Sequence, residues 1–325
     1  MMKALLVATL CAGWALHGVG PAQSQTLPNK PIKMVVPFPP GGSVDVLARV
    51  ISDRLGTVLG QSVIVENHGG GAGGSNAAKA VAAADPDGTT LLITPGGALT
   101  SGPAVYKNIG YDPAKAFAPV ALLLETPQVI SVHPGLPVKS LADVVAYAKA
   151  NPGKISWGTQ GFGTSPHLLL ELLKLEAGIN ILHVPYRGTA PMLAAAVAGE
   201  VQIVADPMTS SLPHIQSGKL RALAIAGRER STQLPDVPTT REAGYPKLNA
   251  PFWLGVVAPA GTPAAIVDRL NAALRESLAP PETRARLAAL SADIRIGSPQ
   301  DFGQMLAEEL ALWTGVVKAA HLTVE

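Results

Sequence analysis

Residues 35–49 read Val-Val-Pro-Phe-Pro-Pro-Gly-Gly-Ser-Val-Asp-Val-Leu-Ala-Arg, and few folds can use such a run. The apolar stretch over residues 33–37 predicts a short strand, and an amphipathic helix follows over residues 44–59. The prolines and glycines between them fix a tight bend. A strand that turns directly into a helix is the building unit of α/β folds. Gly41, Gly42 and Ser43 fall where the helix begins, so their backbone N–H groups lack intrahelical partners. The positive end of the helix dipole lies there too, which makes the corner an anion site. Such a corner, at the exit of a first strand, is where α/β proteins hold ligands.

The same grammar recurs along the chain. Strands are expected over residues 62–66 and 89–94, separated by the glycine-rich loop 69–74 and an alanine-rich helix from Ser75. Residues 119–132 form a long β-rich run, and Pro127 in its middle marks a change of sheet. A second set follows: a helix capped by Ser140, a strand over 155–158, and a helix opening at Gly163-Thr-Ser-Pro-His167. In that opening Ser165 is expected as N-cap and Pro166 as the first helical residue. Strands over 181–185, 201–205 and 222–226 complete this set. The apolar run 252–258 reads as a return crossing, and helical spacing dominates from Pro263 onward. Two crossings between two α/β units describe a clamshell with a two-strand hinge, its C-terminal helices packed back on the first lobe. Ligands favour such a domain interface, and the hinge allows closure around a solute.

The ends of the chain bear on its compartment. Lys3 precedes an apolar run over residues 4–16, and Ala22 and Ser24 are small residues suited to cleavage. Residues 1–24 therefore read as a signal peptide; the run is shorter than the roughly 20 residues of a membrane span. Lobe 1 is expected over residues 25–125 plus 252–325, and lobe 2 over 126–251. Cys11 is the sole cysteine and lies in the leader, so disulfides, cysteine nucleophiles and thiolate metal sites are excluded from the mature chain. The formal charge is +2, and +1 once Lys3 is lost, with no basic cluster. Nucleic acid and anionic membranes are not expected partners.

Several motifs invite sharper readings. Residues 69–74 satisfy G-x-G-x-x-G between a strand and a helix. The acidic residue that should end the next strand is missing, since Asp85 and Asp87 lie in the turn before it. A tight corner without a cofactor is the better reading, and neither cofactor nor metal is expected. Asp45, in the first helical turn, suits the dipole and can brace the loop or meet the ligand. Gly163, Thr164, Ser165 and His167 offer a second helix start in the other lobe. Three or four charge-assisted hydrogen bonds, each worth roughly 1.5–3 kcal/mol, would give affinities near micromolar. Asp206 ends a strand at the cleft edge and can accept from a ligand or cap its own turn. A hydrolase triad of Ser165, His183 and Asp206 lacks the G-x-S-x-G elbow. His183, Tyr186 and Arg187 at another strand end suit packing and lobe bracing. The chain is not expected to be an enzyme.

A set of motifs, in order across nearly the whole mature chain, resembles the Bug-type solute receptors of tripartite tricarboxylate transporters. They are Pro31-Ile-Lys-Met-Val-Val-Pro-Phe with Gly41-Gly-Ser-Val-Asp45 and Arg49, Leu59-Gly-Gln-Ser-Val-Ile-Val-Glu-Asn67 with Gly71-Ala-Gly-Gly74, and Asp85-Pro-Asp-Gly88. Tyr111-Asp-Pro113, Val132-His-Pro134, His183-Val-Pro-Tyr-Arg-Gly188, Leu234-Pro-Asp-Val-Pro-Thr239 and Glu242-Ala-Gly244 continue the series. Pro39-Pro40 stands where the family pattern has small residues. The resemblance implies a periplasmic Venus-flytrap receptor, monomeric, that passes a small carboxylate to integral membrane transporter subunits. It places the carboxylate loop on Phe38 to Ser43, with the third-strand exit, Thr94, Gly96 and Gly97, and the second-lobe loop from Thr159 to His167 completing the pocket. A sensory subunit serving a signalling partner would share this fold, and an exported hydrolase is the remaining alternative. The scarcity of Arg and Lys in these loops argues against a heavily charge-paired tricarboxylate site.

Overall fold

In the computed structural model, which describes residues 26–322, the alternating signals become two separate sheets. The leader expected over residues 1–24 lies outside the described residues. Along the chain, β1 (Ile32–Val36) leads to α1 (Ser43–Leu59), then β2 (Val63–Asn67), α2 (Ser75–Ala82) and β3 (Thr90–Thr94). A π-helical turn (Gly97–Ser101) and the short α3 (Gly102–Val105) come next, then β4 (Phe117–Thr126) and β5 (Gln128–Val132). The middle of the chain runs through α4 (Leu141–Ala150), β6 (Ser156–Thr159), α5 (Ser165–Ala177) and β7 (Leu182–Pro185). It continues with α6 (Thr189–Ala198), β8 (Ile203–Pro207), α7 (Met208–Gln216) and β9 (Arg221–Ala226). The last part is β10 (Phe252–Pro259), α8 (Ala264–Ser277), α9 (Pro281–Ala289), β11 (Asp293–Ile294) and α10 (Pro299–Ala319).

The first sheet has the order β11-β4-β10-β3-β1-β2, with β1 parallel to both β2 and β3 and β10 antiparallel to β3 and β4. The second is β7-β6-β8-β5-β9, with β6 parallel to β7 and β8 and β5 antiparallel to β8 and β9. Pro127 sits between β4 and β5, where its missing N–H ends one ladder before the other begins. The return strand β10 rejoins the first sheet. The fold is the two-lobe α/β clamshell.

Each lobe has its own core. The apolar stripe of α1, Leu47, Ala48, Ile51 and Leu55, packs on Ile32, Met34, Val36, Leu91 and Ile93. Helix α1 stops at Gly60, whose φ of 66° is costly for any residue with a β-carbon. In the second lobe Trp157, Ile130 and Ile203 meet Leu168, Leu169 and Leu173 of α5. Burying one such side chain contributes roughly 1.5–3 kcal/mol.

Two expectations need correction. Helices α8 and α9 do pack on the first lobe, but α10 straddles both. Its Phe302 joins the first lobe, while Trp313, Val316 and Val317 join the core of the second. A helix of 21 residues is about 30 Å long, too long for one lobe to cover. The second correction concerns α5, which starts at Ser165 itself, with Thr164 at the cap position. Thr164 Oγ1 turns back to the Gly161 carbonyl at 2.8 Å instead of capping the helix.

Candidate functional site: an interlobe cleft

The carboxyl ends of five strands deliver the walls of a single cleft. β1 supplies Phe38, Pro39 and Pro40; β3 supplies Pro95 and Gly97; β6 supplies Gln160. Arg187 and Gly188 follow β7, and Pro207 closes β8. This is the ligand position of open α/β sheets, here doubled and set face to face. The cleft encloses about 570 Å³ of space free of atoms, its open mouth included. The lobes touch at its rim. Ser101 Oγ donates to the Gly163 carbonyl at 2.6 Å, and a β-carbon on Gly188 would meet Pro39 Cδ at 3.5 Å.

Three helices begin at this cleft. Ser43 and Val44 open α1, Ser165 and Pro166 open α5, and Thr189, Ala190 and Pro191 open α6, all in the lining. No side chain caps any of the three. Of the other helices, α4 and α10 carry serine caps, Ser140 and Ser298, and α2, α3, α7, α8 and α9 carry none. The cleft therefore gathers unpaired backbone donors and positive dipole ends from both lobes. Hydroxyls of Ser43, Thr164, Ser165 and Thr189 stand beside them. An anion is the ligand this arrangement fits.

Behind the lining lies a layer of fully engaged polar groups. Asp206 is completely buried and accepts from Gln160 Nε2 at 2.6 Å, Thr189 Oγ1 at 3.2 Å, Ser210 Oγ at 2.6 Å and Ser211 Oγ at 3.0 Å. Burial pushes its carboxyl up to about 6, against the pull of these four donors. Asp45 braces the first corner, accepting from Gly41 N–H, from Arg49 Nε and Nη2, and from Asn67 Nδ2, all within 3.0 Å. Asn67 also donates to the Phe38 carbonyl at 2.9 Å. Burial works against the Asp45 carboxylate, but Arg49, Gly41 and Asn67 outweigh it and hold it below the usual range. Replacing Asp45 with Ala should cost about 2 kcal/mol, because the Gly41 N–H and the Asn67 amide lose a buried carboxylate as acceptor. Urea unfolding measures that loss, and titration with a bound acid should show weaker binding as the loop loosens.

A scan against family models matches residues 47–322 to the tripartite tricarboxylate transporter family receptor. BugT of Bordetella pertussis is 39% identical over 299 residues, covering 92% of this chain and 91% of that one. The chain belongs to the tripartite tricarboxylate transporter receptor family. Its solved members include the periplasmic binding protein BugD, with TM-score 0.86, 34% identity and coverage of 92% and 100%. A Rhodopseudomonas palustris protein solved with adipate gives TM-score 0.86, 37% identity and coverage of 91% and 99%. The family is one of receptors that bind solutes and not of enzymes.

This receptor's geometry also disassembles the hydrolase alternative. Ser165 Oγ lies 3.4 Å from Gln128 Nε2, His183 Nε2 pairs with Thr159 Oγ1 at 2.7 Å, and the donors to Asp206 include no histidine. The three residues form no relay. Nor does the glycine loop 69–74 cradle a phosphate by necessity: a β-carbon on Gly73, whose φ is 57°, would sit 2.4 Å from the Gly97 carbonyl oxygen. The glycine is there so that two loops can touch. Among the described residues no cluster of three or more His, Cys, Asp or Glu could hold a metal, and no helix is long and apolar enough to cross a membrane.

Of the expected site residues, Phe38, Gly42, Ser43, Gly97, Thr164 and Ser165 line the cleft. The others stand behind it. Gly41 and Asp45 form the brace. Thr94 is buried with its hydroxyl on the Pro95 carbonyl, and the Gly96 carbonyl accepts from Thr100. Thr159 and His167 belong to a buried cluster in which His167 stacks on His183 at 4.1 Å and accepts the Gly163 N–H at 3.2 Å. Gly163 carries the contact between the lobes. Asp206 holds Gln160 and Thr189, which do line the cleft. Sequence reasoning covered Gln160 only as part of the loop from Thr159 to His167 and assigned no ligand role to Thr189 or Arg187. Their signal was position alone: each follows a parallel strand within a few residues, as the Phe38 corner does.

Proposed function

We propose that this chain is a periplasmic receptor that closes its two lobes around a small carboxylate and delivers it to integral membrane transporter subunits. One observation carries the reading: three uncapped helix N-termini, from both lobes, open onto one cleft. Helix α1 belongs to one lobe and α5 and α6 to the other, so a bound anion gains contacts from both only when they close. That differential contact is what shifts an open–closed equilibrium. We divide the chain into lobe 1, residues 25–125 plus 252–325, and lobe 2, residues 126–251, with α10 lying across the division. The carboxylate is assigned to the loop from Phe38 to Ser43 and to the α5 start at Thr164 and Ser165. The solved relative that holds adipate supports this choice of ligand class.

The test is thermal unfolding of the refolded, ligand-stripped protein with a panel of carboxylic acids, each beside its amide and ester. An acid at 100 times its Kd should add about 2.7 kcal/mol. The midpoint should then rise by roughly 4–8 °C. Stabilisation by an acid but not its ester, with the acid recovered unchanged, supports the receptor reading. Stabilisation by esters and acids alike would sink the carboxylate assignment. Co-purification of membrane subunits from the native host separates transport from a sensory role.

A further inference from the structure

We infer that Glu309 is a positioning residue for lobe closure. Its carboxylate ties a tryptophan from each core to a turn in the cleft wall, and so fixes how far the lobes can rotate. The starting observation is that α10 lies across the division between the lobes, with Phe302 in one core and Trp313 in the other. Between those two anchors, Glu309 is the one side chain among the described residues whose hydrogen bonds leave the helix. Its Oε2 accepts from Trp253 Nε1 at 2.8 Å and from Thr100 Oγ1 at 3.1 Å, and its Oε1 accepts from Trp313 Nε1 at 3.0 Å. Trp253, on β10, packs in the first lobe, and both indoles are buried. An indole N–H can only donate, so each ring needs this acceptor, and a bond to a carboxylate is roughly twice as strong as a neutral one. Rotating one lobe against the other moves Trp313 relative to Trp253, and Glu309 holds both.

The third donor extends the tie to the cleft. Thr100 lies in the π-helical turn Gly97–Ser101, a geometry frequent at functional sites. Gly97 of that turn and Pro95 before it line the cleft, and so does Phe252 beside Trp253. No side chain fits between this wall and the tie: a β-carbon on Gly96 would lie 2.8 Å from Thr100 Oγ1 and 3.3 Å from Trp253 Cζ2. Past Thr100, Ser101 Oγ donates to the Gly163 carbonyl at 2.6 Å, just before α5 starts, and Val105 of α3 enters the second core. One carboxylate therefore stands where the wall of lobe 1, the opening of α5 in lobe 2 and the helix that spans both converge.

Pulsed electron paramagnetic resonance distances on the ligand-stripped protein test this without any solute, so the result is independent of the carboxylate reading. In a Cys11→Ser background, spin labels are placed at Asp53→Cys in α1 and Ala194→Cys in α6, exposed sites on opposite lobes. Glu309→Gln keeps an acceptor for one indole but not for both, and should widen the distribution of interlobe distances at least about 2-fold. Trp313→Phe keeps a ring in its core but removes the N–H, and should widen the distribution likewise. Glu309→Gln combined with Trp313→Phe should be no wider than the broader single variant, since both cut one tie. Thr100→Ser should match the labelled parent, and Thr100→Val should not. The unfolding midpoint, measured alongside, separates positioning from packing. A lowered midpoint with an unchanged or narrower distribution overturns the inference, as do widenings that simply add in the double variant. If Glu309→Gln does not fold, Trp313→Phe and Thr100→Val decide the point, and unchanged distributions in both overturn it.

Discussion

Asp206→Ala is expected to destabilise the protein by about 3–5 kcal/mol and to abolish measurable solute binding. The carboxylate is wholly buried at the end of β8, and four side chains from three elements converge on it. Removing it strands the Gln160 amide and the Thr189, Ser210 and Ser211 hydroxyls without their acceptor. Each buried group left unpaired costs about 1–3 kcal/mol, partly relieved where a serine hydroxyl can rotate. Gln160 and Thr189 also form part of the cleft wall, so the ligand loses two positioned groups at once. Asp206→Asn is the informative control. Its carbonyl can still take Gln160 and Thr189, and its amide can donate to the rotated serine hydroxyls, so the stability loss should be only about 1 kcal/mol. Chemical unfolding of both variants, followed by titration with a stabilising acid, checks the contrast. An Ala variant as stable as Asn would mean that the network contributes nothing.

The second large effect is a loss of stability in acid, governed by two stacked histidines. Burial, together with His183 and Lys174 nearby, pulls His167 down to about 3; burial and Lys174 pull His183 down to about 4. In the unfolded chain a histidine titrates near 6.5. Their contribution is therefore complete above about pH 6.5. Below it the unfolded chain takes up protons that the native cluster cannot accept until pH 4–3, so stability falls. Each histidine accounts for about 3–5 kcal/mol over that window. Asp206 works the other way. Its carboxyl, raised to about 6, contributes fully below the unfolded value near 4 and loses about 3 kcal/mol as pH climbs through 6. The net expectation is a loss on the order of 4 kcal/mol between pH 6.5 and 4. Denaturant unfolding at a series of pH values measures it. Asp206→Asn should make the acid loss steeper, since it removes the opposing contribution. A flat profile for both proteins would show that the histidines take up protons in the native state.

Much of this architecture was legible along the chain. The Pro-Gly corner after β1, the proline that separates β4 from β5, and the serine cap of α4 at Ser140 are local chemistry. Backbone sterics and a local hydrogen bond decide them whatever the surroundings. Helix α10 was not legible in the same way. Its apolar positions at Phe302, Trp313 and Val316 show that it is buried, but not that two different cores bury it. The Thr164 cap position was missed by one residue because the Thr164 hydroxyl found a closer partner in the Gly161 carbonyl.

The candidate site divides along the same line. The sequence by itself determined that the first corner would end in free N–H groups, because Pro39, Pro40, Gly41 and Gly42 allow little else before a helix. It determined the α5 opening for the same reason. Which of these corners share a cleft is a matter of strand order and lobe closure, and both depend on contacts between residues far apart in the chain. Asp206 and Arg187 illustrate what that decides. Asp206 is the next-to-last residue of β8 and Arg187 lies two residues past β7, and nothing local distinguishes them. Packing buries one among four donors that cancel its reach toward a ligand, and leaves the other exposed at the cleft mouth. A side chain's charge is written in the sequence; whether that charge is already spent is set by its neighbours in space.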